Sequence, residues 1–222
     1  MSPAKTSNGN VFDYDIDAQN RRVVTRENSG IDSRFVYRNK LRVSLETTGN
    51  GTVKNYYVYD KKPNVPEYFY RRGNDTNYRI ITDHIGSVKV VLNSNTGGIA
   101  QLTQYGDLGT VLSRTNENLQ PFGFGGGIYD KNTGLVKFGA RDYDPETGRW
   151  LTKDPIQFSG GDFNLYGYTL QDPVNLVDPN GKAVPLLIAA GLIVSVASVT
   201  GILGGINAEK AGGSFGKGFS IA

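Results

Sequence analysis

The chain has 222 residues, with 24 Lys and Arg against 21 Asp and Glu and a net charge of +3. It contains no cysteine and a single histidine, His84, which excludes disulfides, thiolate metal sites and zinc sites built on several histidines, and leaves His84 as the sole base for any Ser-His-Asp scheme. The basic residues are scattered among tyrosines and acids without a dense basic face, so no nucleic-acid partner, metal or cofactor is expected.

Residues 1–10, MSPAKTSNGN, are polar, lack the apolar core of a signal peptide, and are read as a disordered start. From Val11 to Thr115 the pattern is strand, turn, strand. The segments 11–16, 21–26, 33–38, 41–47, 52–60 and 67–72 are short and rich in β-branched and aromatic residues. The series continues at 78–83, 87–93, 99–105 and 110–115. Turn-like AQN, NSG and RNK separate the first of them, and Asn95-Thr96-Gly97-Gly98 suits a hairpin. Such spacing predicts antiparallel all-β structure. The tyrosine-rich stretches around Tyr56, Tyr57, Tyr59, Tyr68, Phe69 and Tyr70 fit cross-strand packing, with a sugar- or base-stacking surface as the alternative. Gly123–Gly127 lacks the Lys-Ser or Lys-Thr of a phosphate loop and reads as a hinge or tight crossing.

Residues 129–182 form a different unit. Four Asp-Pro pairs stand in it, at 144–145, 154–155, 172–173 and 178–179. Proline fixes its own φ and pushes the preceding residue into extended or turn backbone, so each pair pins an aspartate. Two such carboxylates brought together could share a proton and serve as acid and base toward a water and a peptide, with an arginine orienting one of them. Arg141, Asp154 and Asp178 are the candidates for this role. Asp142 and Arg149 are equally available as salt-bridge partners, and Asp-Pro turns are commonly structural. Asp178-Pro179-Asn180-Gly181 reads either as a turn that ends a domain or as the approach to a processing site just after Gly181.

From Ala183 the composition changes. Residues 183–208 carry no charge and are long enough to cross a bilayer as a helix, with Gly201 and Gly205 as a close-approach pair. A helix buried against the sheet is the alternative. Residues 209–222 are Gly-rich.

Tyr-Asp recurs at 14–15, 59–60, 129–130 and 143–144. The block from YDKNTGL through ARDYDPETGRWLTKDP and GGDFNLYGY to DPVNLVDPNG resembles the RHS repeat-associated core domain, and TDHIGSVKVVLN with the following hairpin resembles the segment upstream of it. The resemblance covers about residues 80–182. It implies a spiralling β-sheet shell around a C-terminal polymorphic toxin, closed by a core plug that in several members is an aspartyl autoprotease cutting after a DPxGL motif. Carried over by position, the arginine is Arg141 and the aspartates are Asp154 and Asp178. The family's motif ends in leucine and position 182 here is Lys182, so the scissile bond would be Lys182-Ala183.

The resulting expectation is a mainly β protein: YD-repeat strands over 11–128, a core plug over 129–182, and an apolar segment with a helix over 183–222. Its implied partners are a C-terminal toxin effector, the upstream part of an RHS shell and, through 183–208, a membrane. It would be secreted or delivered by contact. The alternative is a non-enzymatic cell-surface module that binds carbohydrate or protein and is anchored by 183–208. Roughly 180 residues are too few to close a large shell, so a long open sheet edge is expected.

Overall fold

Alternation along the strands builds the first sheet. In the segment Val53–Val58, Asn55 and Tyr57 are buried while Tyr56 and Val58 are exposed, the period of two that gives a strand one covered face and one open face. The computed structural model describes residues 4–5, 9–157 and 163–182. It contains β1 (Ala4–Lys5), β2 (Val11–Ile16), β3 (Arg22–Glu27), β4 (Gly30–Tyr37), β5 (Val43–Thr48) and β6 (Val53–Val58). These continue into β7 (Tyr68–Arg71), β8 (Thr76–Thr82), β9 (Val88–Asn93), β10 (Ile99–Tyr105) and β11 (Val111–Arg114). All eleven pair in chain order in one antiparallel sheet.

Each strand expected between residues 11 and 115 is present, with ends displaced by a few residues. The turns explain why neighbours pair locally. Asn39 Oδ1 accepts from the amides of Leu41 and Arg42 between β4 and β5, and Asn93 Oδ1 accepts from those of Asn95 and Thr96 between β9 and β10. Register shifts interrupt most of the ladders, for example at Val36/Tyr37, Glu46/Thr47 and Ile81/Thr82. Each extra residue bends its strand and increases the local twist.

A second sheet follows, in the order β12 (Ile128–Tyr129), β13 (Val136–Phe138), β14 (Arg141–Asp144) and β15 (Arg149–Trp150). Its strands are two to four residues long, because turns built on Asp-Pro and glycine cut them short.

Two clusters hold the molecule. Phe35, Val43, Tyr57, Phe69, Tyr78, Ile80 and Val91 on the covered face of the first sheet pack with Leu119, Phe122 and Ile128. Ile85, Phe124, Val136, Phe138, Tyr143, Trp150 and Tyr168 form the other, with the Tyr143 and Tyr168 rings 4.2 Å apart. The glycine run at 123–127 is the tight crossing between the two clusters, and a methyl on Gly126 would overlap Val65. His84 Nε2 lies 2.8 Å from the Val174 carbonyl oxygen, a link between strand end and loop.

The expected apolar helix, its membrane contact and Ala183 lie outside the described residues. Among the described residues, no helix is long and apolar enough to cross a membrane.

Candidate functional site

Asp154 and Asp178 are 24 residues apart in sequence, and local turns hold each of them in place. Asp154 Oδ1 accepts from Ile156 N at 2.9 Å, and Asp178 Oδ1 accepts from Asn180 N at 3.2 Å and Gly181 N at 3.0 Å. Asp144 and Asp172 use an oxygen in the same way, toward Glu146 N and Asn175 N. All four Asp-Pro aspartates therefore cap their own turns. Asp154 and Asp178 are the two whose other oxygen meets Arg141.

Arg141 opens β14, opposite Phe138 across a two-residue turn. Its Nη2 lies 3.0 Å from Asp154 Oδ2 and 3.1 Å from Asp178 Oδ2, so the two carboxylate oxygens fall within about 6 Å of each other. Its Nε donates to the Gly181 carbonyl at 2.6 Å. The guanidinium stacks over the Trp150 ring at 4.0 Å, which fixes its plane. Arg141 Nη1 is buried with no hydrogen-bond partner among the described residues.

All three residues are buried, Asp154 least so, with 10% of its side chain accessible against 3% for Arg141 and Asp178. Burial lowers the Arg141 pKa from its ordinary value, and the charges on Asp154 and Asp178 act in the opposite direction. One guanidinium faces two carboxylates, which leaves an excess negative charge.

The approach of the 178–181 turn depends on two glycines. Gly181 has φ +61°, and a Cβ there would lie 2.8 Å from Arg141 N and closer still to Phe138 O. A Cβ on Gly139, at φ +45°, would lie 2.5 Å from Asn180 O. The gap between the turn and the β13–β14 hairpin therefore admits backbone only, and Ala140 N donates to Asn180 O across it at 3.0 Å.

The two rival ion partners are placed elsewhere. Consecutive strand residues face opposite ways, so Asp142 points away from Arg141. Its Oδ1 accepts from Arg22 Nη2 at 3.0 Å and its Oδ2 from Lys137 Nζ at 3.1 Å. Arg149 is exposed. Arg22 also donates to Asp130 at 3.1 Å and stacks over the Tyr14 ring at 3.9 Å, while the Tyr14 hydroxyl donates to Asp130. This buried network ties β2 and β3 of the first sheet to the second sheet, and sequence reasoning missed it. The direct pairing of Lys137 and Asp142 across a hairpin was a local signal, whereas Arg22 lies 108 residues from Asp130 and carries none. Among the described residues no group of acids and histidine is arranged to hold a metal ion.

A family model described as Teneurin YD-shell matches residues 3–174. Teneurin-3 of Danio rerio is 28% identical over 180 residues, covering 77% of this chain and 7% of its own length. Toxin protein Tse5 of Pseudomonas aeruginosa is 33% identical over 107 residues, covering 48% of this chain and 8% of its own. Among solved structures, the crystal structure of TcdB2-TccC3-TEV superposes with a TM-score of 0.59 at 21% identity, covering 79% of this chain and 9% of that one. The chain thus spans less than a tenth of the length of each of these three, and the structural likeness is one of fold alone.

Proposed function

The chain belongs to the Teneurin YD-shell family, an RHS/YD-repeat shell domain, and on that premise we propose that it is the C-terminal part of a polymorphic-toxin shell that encloses and presents a C-terminal effector and cuts itself at Lys182-Ala183. The toxin relative supports the first half of this reading. The observation that carries the second half is the meeting of Asp154 and Asp178 on one nitrogen of Arg141. The partners in this reading are the effector and the upstream shell, and the assembled protein acts outside the cell that makes it. The segment 183–208 is the stretch offered to a membrane.

The chemistry is hydrolysis. Asp154, the more accessible of the pair, takes a proton from water, and the oxygen adds to the Lys182 carbonyl carbon. In this reading Asp178 enters the step as the carboxylic acid and gives its proton to the Ala183 nitrogen as the bond between carbon and nitrogen breaks. The products are a carboxylate on Lys182 and an amine on Ala183. Arg141 holds both carboxylates and, through Nε, the peptide carbonyl at Gly181, so it positions the acids and the chain together.

Intact-mass measurement of the freshly expressed full chain tests the reading. The expected result is two fragments, split between Lys182 and Ala183, in the wild type and a single uncut chain in Asp154→Asn and Asp178→Asn. A wild type that stays whole under prolonged incubation rules out self-cleavage and leaves the shell role.

A further inference from the structure

We propose, resting on the self-cleavage reading above, that His84 is a positioning residue for the cut: it seats the loop that carries Asp178 on the wall of the first sheet, and cutting is thereby conditional on that wall. His84 stands in the turn between β8 and β9 and is the only histidine of the chain. Its Nε2 lies 2.8 Å from the carbonyl oxygen of Val174, 90 residues onward and just ahead of Asp178. A carbonyl oxygen can only accept, so Nε2 carries the hydrogen and donates, in the neutral ring and in the imidazolium alike. Two hydrogen bonds fix the turn that presents this donor. Asp83 Oδ1 accepts from Ser87 N at 2.8 Å, and Gly86 N donates to the Asp83 carbonyl at 3.2 Å.

The same turn reaches the loop by a second route. Ser87 Oγ accepts from Gly125 N at 3.0 Å in a buried site, and Asn64 Nδ2 donates to the Gly125 carbonyl at 2.8 Å. Gly125 lies against Val177, since a Cβ there would come within 3.0 Å of Val177 Cγ2. Val177 packs on the aromatic cluster immediately before Asp178, whose Oδ1 is engaged by the amides of Asn180 and Gly181. Local bonds thus fix how the Asp178 carboxylate points within its own turn. Val174 and Val177 fix where that turn stands against Arg141. The second quantity decides whether the two acids meet, because one nitrogen of Arg141 must reach both. His84 acts through the loop and not on the reacting atoms.

The experiment measures self-cleavage rates of the full chain by intact mass for wild type, His84→Met and His84→Gln. Urea unfolding of the same three sequences is followed by Trp150 fluorescence in an Asp154→Asn background that keeps the chain whole. Methionine keeps bulk and removes the donor, whereas the glutamine amide can place an N–H near the position of Nε2. His84→Met is expected to cut about tenfold more slowly, less than the roughly hundredfold of a 1 Å displacement because the tether lies one step removed from the acid. His84→Gln is expected to recover most of the rate. His84 is exposed, so all three chains are expected to unfold at nearly the same urea concentration. A His84→Met chain that cuts at the wild-type rate overturns the proposal, and so does a His84→Gln chain as slow as His84→Met. An unfolding midpoint of His84→Met that falls in step with its rate makes the histidine a structural residue and overturns it as well. Each of these outcomes leaves the self-cleavage reading intact. A wild-type chain that stays whole removes that reading, and the role of His84 with it.

Discussion

Replacing Arg22 with methionine puts the architecture to a quantitative test. Arg22 is 3% exposed and bridges Asp130 at 3.1 Å and Asp142 at 3.0 Å. With Lys137 the four charges sum to zero, and removing Arg22 leaves one excess buried negative charge. Breaking a buried pair from one side costs about 3–5 kcal/mol. Asp142 keeps Lys137 at 3.1 Å, Asp130 keeps the Tyr14 hydroxyl, and methionine still covers the Tyr14 ring, so the lower end, about 3 kcal/mol, is expected. Urea unfolding of the full chain, followed by fluorescence of Trp150, the sole tryptophan, reads this directly, because Trp150 is buried in the second sheet while Arg22 sits in the first. Adding Asp130→Asn removes the stranded charge, so the double variant should lose less than the sum of the two single losses by about 1–2 kcal/mol. A loss below about 1 kcal/mol for Arg22→Met, or strict additivity, would refute the claim that this network joins the two sheets.

Two further outcomes follow from buried polar groups. Burial raises the phenol pKa of Tyr37, Tyr57, Tyr59, Tyr105, Tyr143 and Tyr168 above the ordinary value, with Glu46 adding to the effect at Tyr57 and Tyr143 and Asp178 adding to it at Tyr168. Unfolded tyrosines titrate near pH ~10, so above that pH the unfolded chain has lost protons that the folded chain keeps. Stability should be complete below that point and fall as pH rises, with tyrosinate absorbance appearing together with unfolding; early titration of all the tyrosines in a still-folded chain would contradict it. Gln120→Leu should cost about 2–3 kcal/mol in thermal or urea unfolding. It strips partners from Gln101 Oε1 and from the amide and carbonyl of Phe122 in a buried site, and a companion Gln101→Leu should restore part of the loss.

Much of the fold is legible in the chain itself because strand and turn signals are local. Val11–Ile16 and Ile99–Tyr105 form over the span their β-branched and aromatic residues mark out, since a period of two and a flanking turn settle a hairpin without reference to distant residues. Side-chain direction in the second sheet was less legible. Arg141 and Asp142 are adjacent in sequence and both charged, with opposite sign, and only a strand with two covered faces sends one to the Asp154–Asp178 pair and the other to Arg22.

The candidate site divides along the same line. The sequence by itself determined that four aspartates would be pinned before prolines, because the pyrrolidine ring acts on its immediate neighbour. It also determined that each would cap its own turn, because the carboxylate reaches only two or three residues onward. Only the tertiary structure decided that Asp154 and Asp178 would share Arg141 while Asp144 and Asp172 would not. That choice depends on where the β13–β14 hairpin meets the 178–181 turn, a closeness permitted by Gly139 and Gly181 and held by a hydrogen bond between backbones 40 residues apart in the chain. Contacts over such separations depend on the packing of Trp150, Tyr143 and Tyr168 beneath the site, and no local pattern of residues encodes them.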